Sequence, residues 1–307
     1  MSLRRNILLF HLGALGDFIV TWPIALALAR LHPQSRVFYI THGQKGALAE
    51  KVLRVESLDV DTGGWHRLFG SGEDLPASSA RALAGAHTIV NFLSGPDDAW
   101  SRNVTVANPE AKLLSIPTVA PDNFTGHQSE FLASGLAPWP AAEAATRQIL
   151  RSVNERGLGA PRANDGAIVI HPGGGAPRKC WPAERYLELA RRLRERGRTV
   201  RVLLGEVELE QWPHDRVQDF RDAADVRTPS TLVELLDEIT SAGAFVGNDS
   251  GPGHLAGILG VRTLGLFGAT SHPARWKPLG PHARTLAAPL ESLQVDAAMA
   301  ALDDILG

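Results

Sequence analysis

Two glycine-rich segments and one aspartate carry the residue types that phosphate and proton chemistry require. The first segment, Gly247-Asn248-Asp249-Ser250-Gly251-Pro252-Gly253-His254, lies between an apolar run and a helical pattern. Small residues let an anion approach the backbone there, and the N–H groups and dipole of a helix start stabilise its charge. The same residues also suit a plain turn in which Asp249 or Ser250 caps the helix and His254 is a core or surface histidine. The second segment is His171-Pro172-Gly173-Gly174-Gly175-Ala176-Pro177-Arg178-Lys179-Cys180-Trp181-Pro182. Its glycines admit a ligand, and Arg178 and Lys179 bring charge to where a diphosphate needs it. The competing account is a surface loop whose Trp181-Pro182 step opens the next helix, with the indole packed beneath.

A third segment, Gly13-Ala14-Leu15-Gly16-Asp17, lacks the full G-x-G-x-x-G of dinucleotide-binding loops. Asp17 suits either a helix cap or a carboxylate that takes a proton from an attacking hydroxyl. Asp59-Val60-Asp61 has the D-x-D form that holds a metal-nucleotide in one class of glycosyltransferases, but three residues match by chance often. No H-E-x-x-H, paired C-x-x-C or Walker lysine motif occurs, and Ser250 is not in a G-x-S-x-G elbow, so zinc, P-loop and hydrolase readings lose support. The arginines from Arg191 to Arg201 read as a solvated helix face and its exit.

Strands and helices alternate around these segments. Residues 6–10 read as a buried strand, the Gly13 turn leads into an apolar helix, and 36–41, a short stretch near Leu58, and 88–93 follow as strands with a helix over 46–54. The pattern weakens over 137–165, where Pro138, Pro140 and Pro161 flank one helix. It restarts with a strand at 167–171, a helix over 183–196, a strand at 199–204, a capping box Thr231-x-x-Glu234, and strands at 244–246 and 261–267. This order predicts an α/β protein of two doubly wound parallel-sheet domains, 1–160 and 161–307, with ligands at the carboxyl ends of the strands in a cleft between them.

A chain of 307 residues is long enough for two such domains, and 44% hydrophobic with 21% charged residues is the balance of a globular protein. The formal net charge of −2 provides no general attraction to nucleic acid or anionic membrane, so anion recognition must be local. The single cysteine, Cys180, excludes an intramolecular disulfide and fits a reducing cytoplasm. Arg4 and Arg5 before an apolar run resemble a targeting segment, but His11 and Asp17 interrupt that run, which favours a first strand and helix.

Taken together, the phrases GALGDFIVTWP, HPGGGAPRKCWPAERY, GNDSGPGHLAGILGVRTLGLFGAT and ARWKPLGP resemble glycosyltransferase family 9, the heptosyltransferase-like enzymes, in the family's order. The resemblance implies a GT-B fold: two Rossmann-like domains facing a central cleft, with acceptor bound by the first and nucleotide sugar by the second. It implies that Asp17 is the catalytic base, with Gly13 and Gly16 on the acceptor side. On the donor side it implies Gly174, Gly175, Arg178 and Lys179, the diphosphate loop Asp249, Ser250, Gly251, Pro252, Gly253 and His254, and Glu208 at the donor ribose. Gly174 and Gly175 fall where relatives often carry hydroxyls, which leaves backbone N–H contacts and removes side-chain ones.

The activity so implied is inverting, metal-independent transfer of heptose from ADP-heptose to a lipopolysaccharide-type acceptor, with no resident cofactor. The acceptor is lipid-linked or an oligosaccharide, so the expected location is cytoplasmic, with weak peripheral association at the inner face of the inner membrane. Lys45, Lys51, Arg54 and Arg67 are either contacts for an acidic acceptor or solvated surface charge. Rival readings are a GT-B nucleotide-sugar epimerase, which needs no acceptor, a non-catalytic nucleotide-binding homologue, and a Rossmann dehydrogenase, which the incomplete fingerprint disfavours.

Overall fold

Continuous apolar runs such as Ile7-Leu8-Leu9-Phe10 belong in parallel sheets covered on both faces, and β1 (Asn6–Phe10) is buried at every position. The computed structural model describes residues 5–70, 74–159, 166–269 and 272–307. The chain divides into two units, Met1–Arg151 and Ser152–Gly307. The junction expected at residues 160 and 161 lies outside the described residues.

In the first unit β1 pairs in parallel with β2 (Arg36–Thr41) and β4 (Ala86–Asn91). With β3 (Glu56–Asp59) and β5 (Lys112–Ser115) the order is β3-β2-β1-β4-β5. Its core gathers around Phe10, whose ring meets Trp65 and Trp100 edge-on at 5.1 and 4.8 Å. The second unit holds β6 (Ile168–His171), β7 (Val200–Leu203), β8 (Asp225–Arg227), β9 (Ala244–Asn248), β10 (Arg262–Phe267) and β11 (Ala283–Ala287) in the order β11-β10-β9-β6-β7-β8. Every described pair is parallel, so the turns that follow the strands share one edge of each sheet.

The weak stretch of the sequence is a helix of 17 residues, Pro140–Arg156. Proline opens it, where an N–H is not needed, alanines favour it, and Arg147 reaches back to Glu143 at 2.8 Å. Gly157, at φ 71°, ends it in the left-handed region. The helix expected over 46–54 starts earlier, at Gly43, and the strand expected over 88–93 is Ala86–Asn91. The capping box is half formed: Thr231 Oγ1 accepts from the Glu234 N–H at 3.1 Å, whereas the Glu234 carboxylate takes the Ser230 N–H and O–H. Arg201 departs from the solvated arginine face: it is 7% exposed and donates to Glu238 at 2.7 Å and Ser241 at 2.9 Å, because it lies inside β7.

Candidate functional site

β6 and β9 are neighbours, with His171 beside Gly247, so the two glycine-rich segments leave the sheet side by side. The order reverses between these strands, which is where open α/β sheets form a crevice. Asn248, 1% exposed, ties the segments together. Its Oδ1 accepts from Trp181 N at 2.9 Å and from the Tyr186 hydroxyl at 2.8 Å, and its Nδ2 donates to Pro172 O at 2.8 Å and Gly173 O at 3.0 Å. Sequence reasoning did not single it out, although a polar residue closing an apolar strand was the available signal.

The helix Gly251–Ile258 begins just past this hub with Pro252 in its first turn, where no intrahelical N–H bond is lost. Ser250 is at its N-cap, and its hydroxyl is buried with no hydrogen-bond partner among the described residues. Asp249 presents a carboxylate only 7% exposed, with Lys179 Nζ at 3.3 Å on one side and His254 Nε2 at 3.9 Å on the other. His254 is itself buried, 4% exposed, which answers whether it is a surface or a core residue. Arg178 is exposed in the short 3₁₀ turn Pro177–Lys179. Trp181 packs edge-on against Tyr186 at 4.8 Å and donates from Nε1 to Leu293 O, and Pro182 occupies the N-cap of the helix Ala183–Glu195.

The glycines of the second segment differ in what they permit. A Cβ on Gly173 would run into the Glu208 carboxylate, and one on Gly174 would meet Cys180 Sγ at 2.9 Å, while Gly175 opens onto empty space. Glu208 lies in the helix Glu206–Gln211 after β7, is 6% exposed, and accepts from Gly205 N at 2.9 Å. Burial lowers the pKa of His171 and Glu208 opposes that shift; burial, reinforced by Glu208, raises that of the Cys180 thiol. The segment ARWKPLGP packs against the helix start's far end, where a Cβ on Gly257 would meet Pro278 Cβ at 2.5 Å and Leu279 O at 2.8 Å.

In the first unit Asp17 lies inside the helix Leu15–Ile19, whose N-cap is Ala14, so the cap reading of Asp17 does not hold. The side chain is partly exposed. His11, 1% exposed, packs near Phe18 and Phe92, and neither ring nitrogen has a hydrogen-bond partner among the described residues. Burial, with the nearby Lys45 charge, lowers its pKa to about 3, so the ring is neutral. A Cβ on Gly13 would sit 3.0 Å from His11 Cε1 and 3.4 Å from Asp17 Cβ, so Gly13 is the point where these two side chains approach. Lys45 is not a free surface charge: Nζ donates to Gly13 O at 2.6 Å and Leu12 O at 3.3 Å.

Asp59 of the D-x-D is spent on a turn, accepting from Thr62 N at 2.8 Å and Thr62 Oγ1 at 2.9 Å, which lowers its pKa. Asp61 Oδ2 lies 3.4 Å from His42 Nδ1. Among the described residues no three His, Cys, Asp or Glu side chains cluster as metal ligands, and no helix is long and apolar enough to cross a membrane.

The two parallel-sheet α/β units have the GT-B fold, which the structural neighbours share. A glycosyl transferase family 9 structure from Veillonella parvula superposes with a TM-score of 0.72 at 20% identity, covering 100% of this chain and 98% of that one. Escherichia coli heptosyltransferase WaaC with ADP superposes with a TM-score of 0.69 at 15% identity, over 98% and 99%. Residues 134–299 match the family model of glycosyltransferase family 9 (heptosyltransferase), more than half of the chain, and the chain belongs to that family. The lipopolysaccharide heptosyltransferase 1 of Pseudomonas aeruginosa is 38% identical over 93 residues, which span 30% of this chain and only 26% of that protein. The family match includes Lys179, Glu208, Asp249 and His254, and Asp17 precedes it.

Proposed function

We propose that this chain is an inverting glycosyltransferase that moves heptose from ADP-heptose to a lipopolysaccharide-type saccharide, without a metal. The observation that supports this most is the pairing of Lys179 with Asp249 at the mouth of two glycine turns locked by Asn248, all within the segment that matches the family. A nucleoside diphosphate would take Lys179 from Asp249, and Arg178, the helix start at Gly251 and the backbone N–H groups of Gly174 and Gly175 would share its charge. Stabilising the departing diphosphate in this way is what a divalent cation does in other transferases. Ser250 and His254 line the same turn, and Glu208 has one carboxylate oxygen committed to Gly205, leaving the other for a ribose hydroxyl.

Asp17 would take the proton of the acceptor hydroxyl as its oxygen attacks the anomeric carbon, and the C–O bond to ADP breaks on the opposite face, inverting the configuration. Donor binding is assigned to residues 161–307 and acceptor binding to 1–160, with Gly13 and Gly16 giving the acceptor room. The acceptor is lipid-linked or an oligosaccharide, at the cytoplasmic face of the inner membrane. The test is thermal stability with ADP, UDP, GDP and NAD in excess chelator, followed by turnover. A ligand bound only by the folded state at about 100 times its Kd stabilises by roughly 2.7 kcal/mol. ADP should raise Tm selectively, and Asp17→Asn should keep that rise while losing about 10²–10⁴-fold in kcat. A response to NAD alone would sink the reading.

A further inference from the structure

We propose that Lys45 is a positioning residue for Asp17: it pins the carbonyls of Leu12 and Gly13 and so fixes the turn that leads into the helix carrying the carboxylate. The proposal rests on the reading of Asp17 as the base. Lys45 stands in the first turn of the helix Gly43–Leu53, on the connection after β2, the strand beside β1. A helix-borne ammonium bonded at 2.6 and 3.3 Å to two successive carbonyls crosses from one strand-end turn to the next. Those carbonyls lie where the chain leaves β1, and Asp17 Cβ comes within van der Waals reach of a Cβ placed on Gly13. Ala14, the N-cap of the helix Leu15–Ile19, makes no side-chain cap bond, and the Lys45 bonds tie the turn from outside it.

The electrostatics point the same way. Burial lowers the pKa of Lys45, and Asp17 acts against that shift, so the two charges stabilise each other and Lys45 favours the ionised carboxylate. Other titratable groups near this turn have surroundings of their own: His11 in the core, His42 and Asp59 on the neighbouring turn. His11 is neutral, with Lys45 helping to keep it so. His42, just before the Lys45 helix, faces Asp61, and Asp59 is occupied by Thr62. Lys45 thus supplies the turn with an anchor and with a positive charge that favours the ionised form of Asp17. Pre-positioning of a base in this way acts on kcat more than on donor binding.

The test separates charge from shape. Lys45→Gln keeps an N–H donor for the carbonyls and removes the charge, whereas Lys45→Arg keeps both. The Asp17 carboxyl is titrated by carbon NMR, its signal assigned with Asp17→Asn and folding checked by circular dichroism. Lys45→Gln should raise the Asp17 midpoint by roughly one pH unit, and Lys45→Arg should leave it near wild type. With ADP-heptose and acceptor, Lys45→Gln should lose about tenfold in kcat with the donor KM unchanged, and its acid limb should move to higher pH. An Asp17 midpoint that does not move in Lys45→Gln overturns the proposal whether or not turnover is seen. A moved midpoint in a protein whose wild type shows no transfer supports Lys45 as the partner of Asp17 and counts against the transferase reading alone.

Discussion

Asn248→Asp isolates the hub between the two ligand-edge segments with almost no change of shape. The two bonds accepted by Oδ1, from Trp181 N and Tyr186 Oη, survive, and the two donated by Nδ2 to Pro172 O and Gly173 O are replaced by a carboxylate oxygen facing two carbonyls. Each buried group left unsatisfied costs about 1–3 kcal/mol. Because the two carbonyls share one partner, the combined loss is about 2–4 kcal/mol, or roughly 5–15 °C in Tm for a domain of this size. The introduced carboxyl is buried against carbonyl oxygens, so its pKa rises above the unfolded value. Between those two values the folded state holds more protons than the unfolded one, and stability therefore falls as pH rises through that window. Thermal or urea unfolding at pH 5 and pH 8 should show the gap to wild type narrowing at the lower pH. A gap below about 1 kcal/mol, or one of equal size at both pH values, would refute the account of Asn248 as the tie.

Other substitutions reach the same structure from different sides. His11 has a folded pKa of about 3 against an ordinary 6.5, so the unfolded chain binds the extra proton between these values and His11 costs stability as pH falls below 6.5. His11→Leu should remove that cost, gaining roughly 2 kcal/mol on wild type between pH 6.5 and pH 5 in urea unfolding; an unchanged difference would contradict the burial of a neutral ring. Gly175→Ser should leave Tm within about 1 °C and restore a hydroxyl at the proposed phosphate turn, whereas Gly174→Ser should lower Tm because its Cβ meets Cys180 Sγ. Equal thermal stability of the two variants would show that the Gly174 contact relaxes freely.

The strands that run through the middle of each sheet were legible because they are buried on both faces and so are continuous apolar runs. β1 is buried at all positions, and β9 likewise. Among the edge strands the short β3 was legible near Leu58 and the others were not: β8 is three residues of mostly exposed Asp-Val-Arg, and β11 alternates too weakly to stand apart from a loop. The helix Pro140–Arg156 was blurred by its flanking prolines, one of which starts it. Among the candidate site residues, the two glycine segments announce themselves because anion binding needs bare backbone after a strand. Lys45 was legible only as one of several cations, and His11 only as a break in an apolar run. Their significance comes from parallel strands, which place the ends of β1 and β2 side by side across a separation that no sequence window spans.

Gly257 and Gly280 give the proposed phosphate turn a mechanical property. A Cβ on Gly280, which lies at φ 136°, would run into Gly257 O, and one on Gly257 would strike Pro278 and Leu279, so backbone rests directly on backbone. Such a contact has no rotamers with which to absorb displacement. The strap at 278–280 lies directly against the helix Gly251–Ile258, with no side chain of Gly257 or Gly280 between them to take up a change in spacing.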